Sequence, residues 1–146
     1  MYESADSPSL PSPHAALPDT IETFADQVLL ITWLSHQFCL TCVVEQIPAG
    51  RSYAYVTSRR IALSDTALPL GRQAVCLHEF AHLIAEQRAR GEGHKHGRLF
   101  CEALWDVVQA VGLPHEHYPW GAEYRTVGRQ WRRWLKTRAR RRTLPS

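Results

Sequence analysis

The stretch His78-Glu79-Phe80-Ala81-His82 decides how the chain is interpreted, because its residues have the order H-E-x-x-H. On a helix, positions four residues apart share a face, with Cβ atoms roughly 5–6 Å apart. His78 and His82 can therefore occupy two corners of a zinc tetrahedron. Glu79 would then reach a water molecule at the metal and act as general base. The five residues predict the metal-binding helix of a zinc hydrolase.

The flanking sequence predicts that this helix is buried. Residues 73–87 lack proline and glycine and are rich in good helix formers. Gly91 suits a C-terminal cap, and Arg88 and Arg90 complement the helix dipole. Apolar residues surround the histidines: Val75, Leu77, Phe80, Ala81, Leu83 and Ile84. Buried histidines and a buried glutamate need partners, and one metal ion would serve all three; histidines bonded to backbone carbonyls are the alternative.

A zinc site needs a third ligand from the protein, and two residues compete for this role. His96 opens a second helix, predicted for residues 98–111, whose apolar residues recur at a spacing of three or four. Glu102 lies twenty residues after His82, and Asp106 follows it at i+4, which is another known zinc arrangement. His94, in the polar loop before His96, is a further candidate.

The order of the two motifs adds a family resemblance. His78-Glu79-x-x-His82 followed by His96-Gly97-x-x-Phe100-Cys101 resembles the SprT-like zinc metallopeptidases. Ile61-Ala62-Leu63-Ser64 also resembles the strand and turn that precede the metal helix in that family, so the resemblance covers roughly residues 53–111. It implies a zincin-like fold and one Zn2+ ion held by His78, His82 and His96, with Glu79 as the base.

Two other zinc peptidase patterns fit less well. A thermolysin-like site with Glu102 as ligand has asparagine at the position that Cys101 occupies here. The metzincin extension needs glycine and histidine where this chain has Ala85 and Arg88.

The remaining sequence predicts an α+β fold. Asp19 or Thr20 is expected to cap a first helix that runs to about His36. Strands are predicted for residues 39–46, 52–58 and 60–63, with a turn at Pro48-Ala49-Gly50.

The resemblance also implies how a substrate binds. In zincins, the strand nearest the metal helix offers its free edge to an extended peptide, and residues 53–63 are expected to play that part. Glu79 would take a proton from the attacking water and pass it to the leaving amine. Candidates for stabilising the oxyanion are Tyr55, His115, His117, Tyr118 and Tyr124, none of which has a spacing argument behind it.

With 146 residues, the chain can bury one core. We expect a disordered arm over residues 1–18, a zincin-like metallopeptidase domain over 19–120, and a basic amphipathic helix and tail over 121–146. The apolar run from Val28 to Leu34 is too short to span a membrane, and no secretory signal is apparent, so a cytoplasmic location is expected.

The chain has four cysteines, and the expected cytoplasmic location argues against disulfide bonds between them. Cys76 and Cys101 are expected to be small apolar core residues. Cys39-x-x-Cys42 leaves open a metal or redox role, although a four-cysteine zinc site would need a second closely spaced pair.

Charge is divided unevenly along the chain. Residues 1–122 hold 8 Lys/Arg against 13 Asp/Glu, a net of −5, and residues 123–146 hold 9 against 1, a net of +8. The basic segment predicts an amphipathic helix over residues 123–142, with Tyr124, Val127, Trp131, Trp134 and Leu135 at helical spacing.

Three interpretations of the basic segment compete. The helix could dock by its tryptophans or be attracted to the acidic body, it could bind a membrane surface or an acidic protein, or it could bind nucleic acid without reading sequence. The cations available for phosphate are Arg129, Arg132, Arg133, Lys136, Arg138, Arg140, Arg141 and Arg142.

These observations favour a zinc-dependent metallopeptidase that acts on protein or peptide substrates. Two alternatives stay open at this point. One is a nucleic-acid-associated protein with a structural zinc and no catalysis, and the other is a metal-dependent hydrolase of a small amide.

Overall fold

The computed structural model describes residues 17–65, 70–90 and 95–143, and within them the chain is α+β, as the sequence predicts. Its helices and strands are α1 (Phe24–Phe38), β1 (Val43–Ile47), β2 (Tyr53–Tyr55), β3 (Arg60–Ser64), α2 (Arg72–Ala89), α3 (Arg98–Ala110) and α4 (Arg125–Thr143). Short 3-10 turns lie at His115–His117 and Trp120–Ala122. Most of the predicted N-terminal arm, residues 1–16, falls outside the described residues.

Helix α1 begins later than the sequence suggested. Its cap is Thr23, whose hydroxyl accepts a hydrogen bond from the Asp26 N–H at 3.1 Å. The Asp26 carboxylate accepts in return from the Thr23 N–H, also at 3.1 Å. This reciprocal pair satisfies two helix-end donors, which a cap at Asp19 or Thr20 would not do. At the other end Cys39 is left-handed (φ 52°), so the predicted strand starts only at Val43.

The sheet has the order β1-β3-β2, so β3 is central and β2 is an edge. β3 runs parallel to β1, with Val43 opposite Arg60, and antiparallel to β2, with Tyr53 opposite Ala62. The predicted strand over residues 52–58 is shorter than expected, because the chain turns before β3 and Arg59 takes a left-handed conformation (φ 53°). Only the β2 part of residues 53–63 can therefore offer a free edge, and the expectation for the β3 part was wrong.

Helix α2 is buried on nearly all sides, as its composition predicted. Every residue from Ala74 to Ala81 is buried, and α2 packs against α1, the sheet and α3. The α3 side chains in this contact region are buried: Phe100, Cys101, Ala103, Leu104, Val107 and Val108. The helix ends at a left-handed Arg90 (φ 53°), whose N–H bonds the Gln87 carbonyl. Arg90 thus takes the capping position predicted for Gly91, which lies outside the described residues.

Helix α4 docks on the body through aromatic rings. Trp131 stacks on Trp120 at 5.0 Å between ring centroids, and Trp134 meets Trp105 of α3 edge-on at 4.6 Å. Val127, on the same side of α4, is fully buried. The amphipathic pattern therefore reflects a docked helix, which begins at Arg125 where the sequence suggested residue 123. Within the described ranges, no helix is long and apolar enough to cross a membrane.

The four cysteines are all free thiols. Cys76 and Cys101 are 0% and 2% exposed in the core, as predicted. Cys39 is exposed and Cys42 is half-buried, with its sulfur 3.7 Å from the Ser35 hydroxyl.

Candidate metal centre

Three imidazoles converge beside the middle of α2. The Nε2 atom of His96 lies 3.2 Å from Nε2 of His78 and 3.2 Å from Nε2 of His82. His78 and His82 are one helical turn apart on α2, and His96 stands immediately before Gly97, the N-terminal cap of α3. The three residues lie close enough to bind one metal ion.

The spacing of these nitrogens fits a metal better than hydrogen bonding. Nε2 of His96 carries at most one proton, so it cannot donate to both of its neighbours. Two nitrogens that each lie 2.0–2.1 Å from one ion at a tetrahedral angle are about 3.3 Å apart. The observed 3.2 Å is close to that value. Imidazole donors suit zinc, copper, nickel and iron, so the three histidines limit the choice of metal to this group and do not identify which one binds.

A buried carboxylate holds His78 in place. The Nδ1 atom of His78 lies 2.9 Å from Oε1 and 3.1 Å from Oε2 of Glu123. The Glu123 side chain is 0% exposed, and the Tyr118 hydroxyl donates a hydrogen bond to its Oε2. With Nδ1 occupied by this acceptor, Nε2 of His78 is left to face the other histidines.

The sequence interpretation missed Glu123 because it lies 45 residues from His78 and belongs to no motif. One signal was present: Glu123 is the single acidic residue among the 24 residues of the basic segment.

The other two histidines are held by aromatic packing. Tyr124 stacks on His96 with the ring centroids 3.7 Å apart, and the Thr126 hydroxyl donates to the His96 carbonyl at 2.9 Å. Phe100 lies beneath all three imidazoles, with centroid distances of 4.8 Å to His78, 4.4 Å to His82 and 5.0 Å to His96. The site is thus built from α2, the start of α3 and the segment that leads into α4.

Glu79 is buried beside this cluster, with 7% of its surface exposed. Burial raises the pKa of its carboxyl to about 7, and the charge of Glu123 adds to this. The His78 charge and a hydrogen bond from the Ala54 backbone act in the opposite direction. Burial by itself would lower the pKa of His78, but its bond to Glu123 and the charges of Glu123 and Glu79 raise it. A carboxyl with a pKa near neutrality is suited to proton transfer.

The cluster opens into a cleft of about 700 Å3. One wall is the segment from Arg51 to Ser58, which contains the edge strand β2, and the other is formed by α2 and His96. Tyr53 and Tyr55 are 57% and 41% exposed. The cleft is therefore bordered by exposed tyrosines on one wall and by the histidines on the other.

The rival ligand Glu102 lies elsewhere. Its carboxylate bonds Arg98 at 3.0 Å, and Asp106 bonds Arg88 at 2.8 Å. Both acids line a second cavity, away from the histidines, with Trp105 and Trp134. His94 falls outside the described residues.

The proposed oxyanion residues separate into two groups. Tyr55 and Tyr124 line the cleft, whereas His115 stacks on Trp105 at 3.5 Å and the Tyr118 hydroxyl is bound to Glu123. His117 belongs to a 3-10 turn that is not part of the cleft wall. Among the described residues, the three histidines form the one group of three or more metal-ligating side chains, and it includes neither Cys39 nor Cys42.

Comparison of the chain with family models, with curated proteins and with solved structures finds no match. The functional interpretation therefore rests on the residues and their arrangement.

Proposed function

We propose that the protein is a zinc-dependent metallopeptidase of zincin-like fold. The observation that carries the proposal is the position of Glu79, a buried carboxyl that shares one open cleft with three convergent imidazoles. Three protein ligands leave a fourth position free, which is typical of catalytic zinc sites and not of structural ones.

The residues support a water-mediated hydrolysis. When bound, zinc would supply Lewis-acid polarisation of the substrate carbonyl and a lower pKa for the attacking water. Glu79 takes a proton from that water and transfers it to the leaving amine nitrogen as the C–N bond breaks. The Ala54 backbone favours the charged form of the Glu79 carboxylate, which is the form that accepts this proton. Tyr55 and Tyr124 are the hydroxyl groups on the cleft wall that could face a developing oxyanion.

The edge strand supports a peptide as the substrate. β3 occupies one side of β2, the other side of β2 has no partner among the described strands, and β2 lines the cleft. An extended peptide could pair with this side, gaining affinity from backbone hydrogen bonds with low sequence selectivity. A small-amide hydrolase would be better served by an enclosed pocket than by a groove lined with exposed tyrosines.

The proposal is tested by comparing zinc content and cleavage in the wild type and Glu79→Gln. We expect one zinc per chain in both proteins, with cleavage of an unfolded protein substrate reduced at least ~100-fold in the variant. Glu102→Gln, which alters a carboxylate on Arg98 outside the cleft, should leave cleavage unchanged. Wild-type cleavage by Glu79→Gln, or zinc-loaded wild type that cleaves no peptide bond, would reject the enzyme and favour a structural zinc.

A second candidate function is sequence-independent binding of nucleic acid by α4. Arg129, Arg132, Arg133 and Lys136 follow the spacing i, i+3, i+4, i+7, so they form one exposed stripe on this helix. No ion pair joins any of these four to another residue of the described part of the chain. Cations that are not neutralised by the acidic body are available for phosphate. Arg140, Arg141 and Arg142 lie beyond Arg138, the last residue with a described side chain.

This second function is tested by fluorescence anisotropy with single-stranded and duplex DNA of arbitrary sequence. Replacing the four cations with glutamine should weaken binding and lower the slope of log K against log salt. Arg98→Gln removes one exposed arginine from another helix and should change neither quantity. Unchanged DNA binding by the fourfold variant would place the DNA site outside this stripe, and absent DNA binding by the wild type would leave an acidic protein or a membrane surface as the partner to test.

A further inference from the structure

We propose that Glu123 is a positioning residue for the metal site, and that with Tyr118 it sets the tautomer and orientation of His78. The inference rests on the proposed function only in taking the three histidines to bind a metal. It assigns to the segment before α4 a part in building the site, although no motif links that segment to His78.

The hydrogen bonds of the Glu123 carboxylate join it to His78 and to Tyr118. Both oxygens lie within 3.1 Å of Nδ1 of His78, and one also accepts the Tyr118 hydroxyl. A carboxylate that is fully removed from water is costly unless charge-assisted hydrogen bonds replace its hydration. Here the replacement partners are a metal-site imidazole and a phenol that is itself buried.

The direction of this hydrogen bond matters for metal binding. A carboxylate can only accept, so it requires a proton on Nδ1 of His78. In the neutral imidazole, Nε2 then carries the lone pair, and that atom is the one facing His96 at 3.2 Å. A carboxylate acceptor also makes the imidazole a stronger donor to a metal. The hydrogen bond to Glu123 thus holds His78 in the metal-binding tautomer in the metal-free protein as well.

Glu123 is placed by the docking of α4. The next residue, Tyr124, stacks on His96, so two consecutive residues support two different histidines. Trp120 precedes this pair and stacks on Trp131, which anchors the segment to α4 itself. The 3-10 turn at Trp120–Ala122 leads directly into Glu123. The position of the carboxylate therefore depends on the tryptophan cluster.

The experiment measures Zn2+ affinity by competition with a chromophoric chelator in four variants of the full chain. Glu123→Ala should lose about 10- to 100-fold in affinity, the usual effect of removing such a partner. Glu123→Gln should lose less, because its amide oxygen still accepts from Nδ1. Tyr118→Phe should cause a smaller loss than Glu123→Ala, since it frees the carboxylate without removing it. Glu116→Ala is the control, because Glu116 is an exposed acid of the same segment and does not line the cleft.

A second measurement separates positioning from general stability. In the zinc-loaded wild type labelled with 15N-histidine, His78 should show a slowly exchanging Nδ1 proton, and Glu123→Ala should lose that signal while His82 and His96 keep their metal-bound shifts. If Glu123→Ala fails to fold, Glu123→Gln decides the matter by zinc affinity, which should fall below the wild-type value because a neutral amide is a weaker acceptor than a carboxylate. Wild-type zinc affinity in the Glu123 variants, or an unchanged Nδ1 signal in Glu123→Ala, would overturn the inference.

The two proposals fail in different ways. A protein that binds zinc through the Glu123-supported site but cleaves no peptide would reject the peptidase and keep this inference. Full cleavage with unchanged zinc affinity in Glu123→Ala would keep the peptidase and reject the positioning role of Glu123.

Discussion

The ring of Tyr124 lies almost parallel to the imidazole of His96, with the centroids 3.7 Å apart and the planes inclined by 20°. Tyr124 is 48% exposed and lines the cleft. This stack and the hydrogen bond from Thr126 tie His96 to the start of α4. The third imidazole is thus held by residues that are distant in sequence.

Tyr124 allows its ring and its hydroxyl to be tested separately. Tyr124→Phe keeps the ring that stacks on His96, so we expect its zinc affinity to be unchanged. Tyr124→Ala removes that ring, so we expect its zinc affinity to be lower. Chelator competition measures both variants. A loss of kcat in Tyr124→Phe at full zinc occupancy would add a role for the hydroxyl in catalysis, and equal affinity in Tyr124→Ala would contradict the supporting role.

The choice between His96 and Glu102 is open to a direct measurement. Metal content by mass spectrometry should fall from one zinc per chain to a substoichiometric level in His96→Ala, because two imidazoles hold the ion far less well than three. Glu102→Ala should keep its zinc, since its carboxylate is paired with Arg98 outside the cleft. The opposite pattern would transfer the third ligand to α3 and discard the proposed site.

The tryptophan cluster should be a major source of stability. Trp120 is 2% exposed, stacks on Trp131 and donates its indole N–H to the His115 carbonyl at 2.8 Å. Trp120→Ala should lower the free energy of unfolding by about 3–5 kcal/mol, as for other large-to-small changes in cores. Urea denaturation checks this value. Leu135→Ala on α4 is the control, because Leu135 is 39% exposed and its loss should cost much less.

Thiol reactivity should follow burial. Burial raises the pKa of Cys76 to about 12 and that of Cys101 to about 11, so neither thiol should react with iodoacetamide in the folded protein at pH 8. Exposed Cys39 should react first, and half-buried Cys42 more slowly, since burial also raises its pKa. Mass spectrometry after timed labelling orders the four sites. Protection of Cys39 that is lost with a chelator would instead indicate a metal at the C-x-x-C pair.

Glu79 should shape how the metal-free protein responds to pH. Its pKa is about 7 in the folded chain against an ordinary value of 4.5, so folding favours the protonated carboxyl. This contribution is fully present below about pH 4.5 and is lost as pH rises through about 7. Relative to Glu79→Gln in the presence of a chelator, the wild type should therefore lose stability across this window. Urea midpoints that change in parallel for the two proteins would show that the buried carboxyl is not responsible.

The sequence by itself determined the local part of this protein. The H-E-x-x-H order, the apolar positions around it and the absence of helix breakers predict α2 and the shared face of His78 and His82, because helix periodicity is set by near neighbours. The ends of helices and strands were predicted less accurately. A single hydrogen-bonded pair, such as Thr23 and Asp26, or a single left-handed residue, such as Arg59, decides where an element begins or ends, and the periodicity of apolar residues does not reveal either one.

Only the tertiary structure decided which distant groups meet α2. His96 and Glu102 were both compatible with the sequence, but packing of α3 on α2 brings His96 to the two α2 histidines and leaves Glu102 outside their cleft, paired with Arg98 one turn earlier on α3. Glu123 reaches His78 across 45 residues because α4 docks through its tryptophans. Such contacts depend on how whole elements pack, and no short-range spacing in the chain records them.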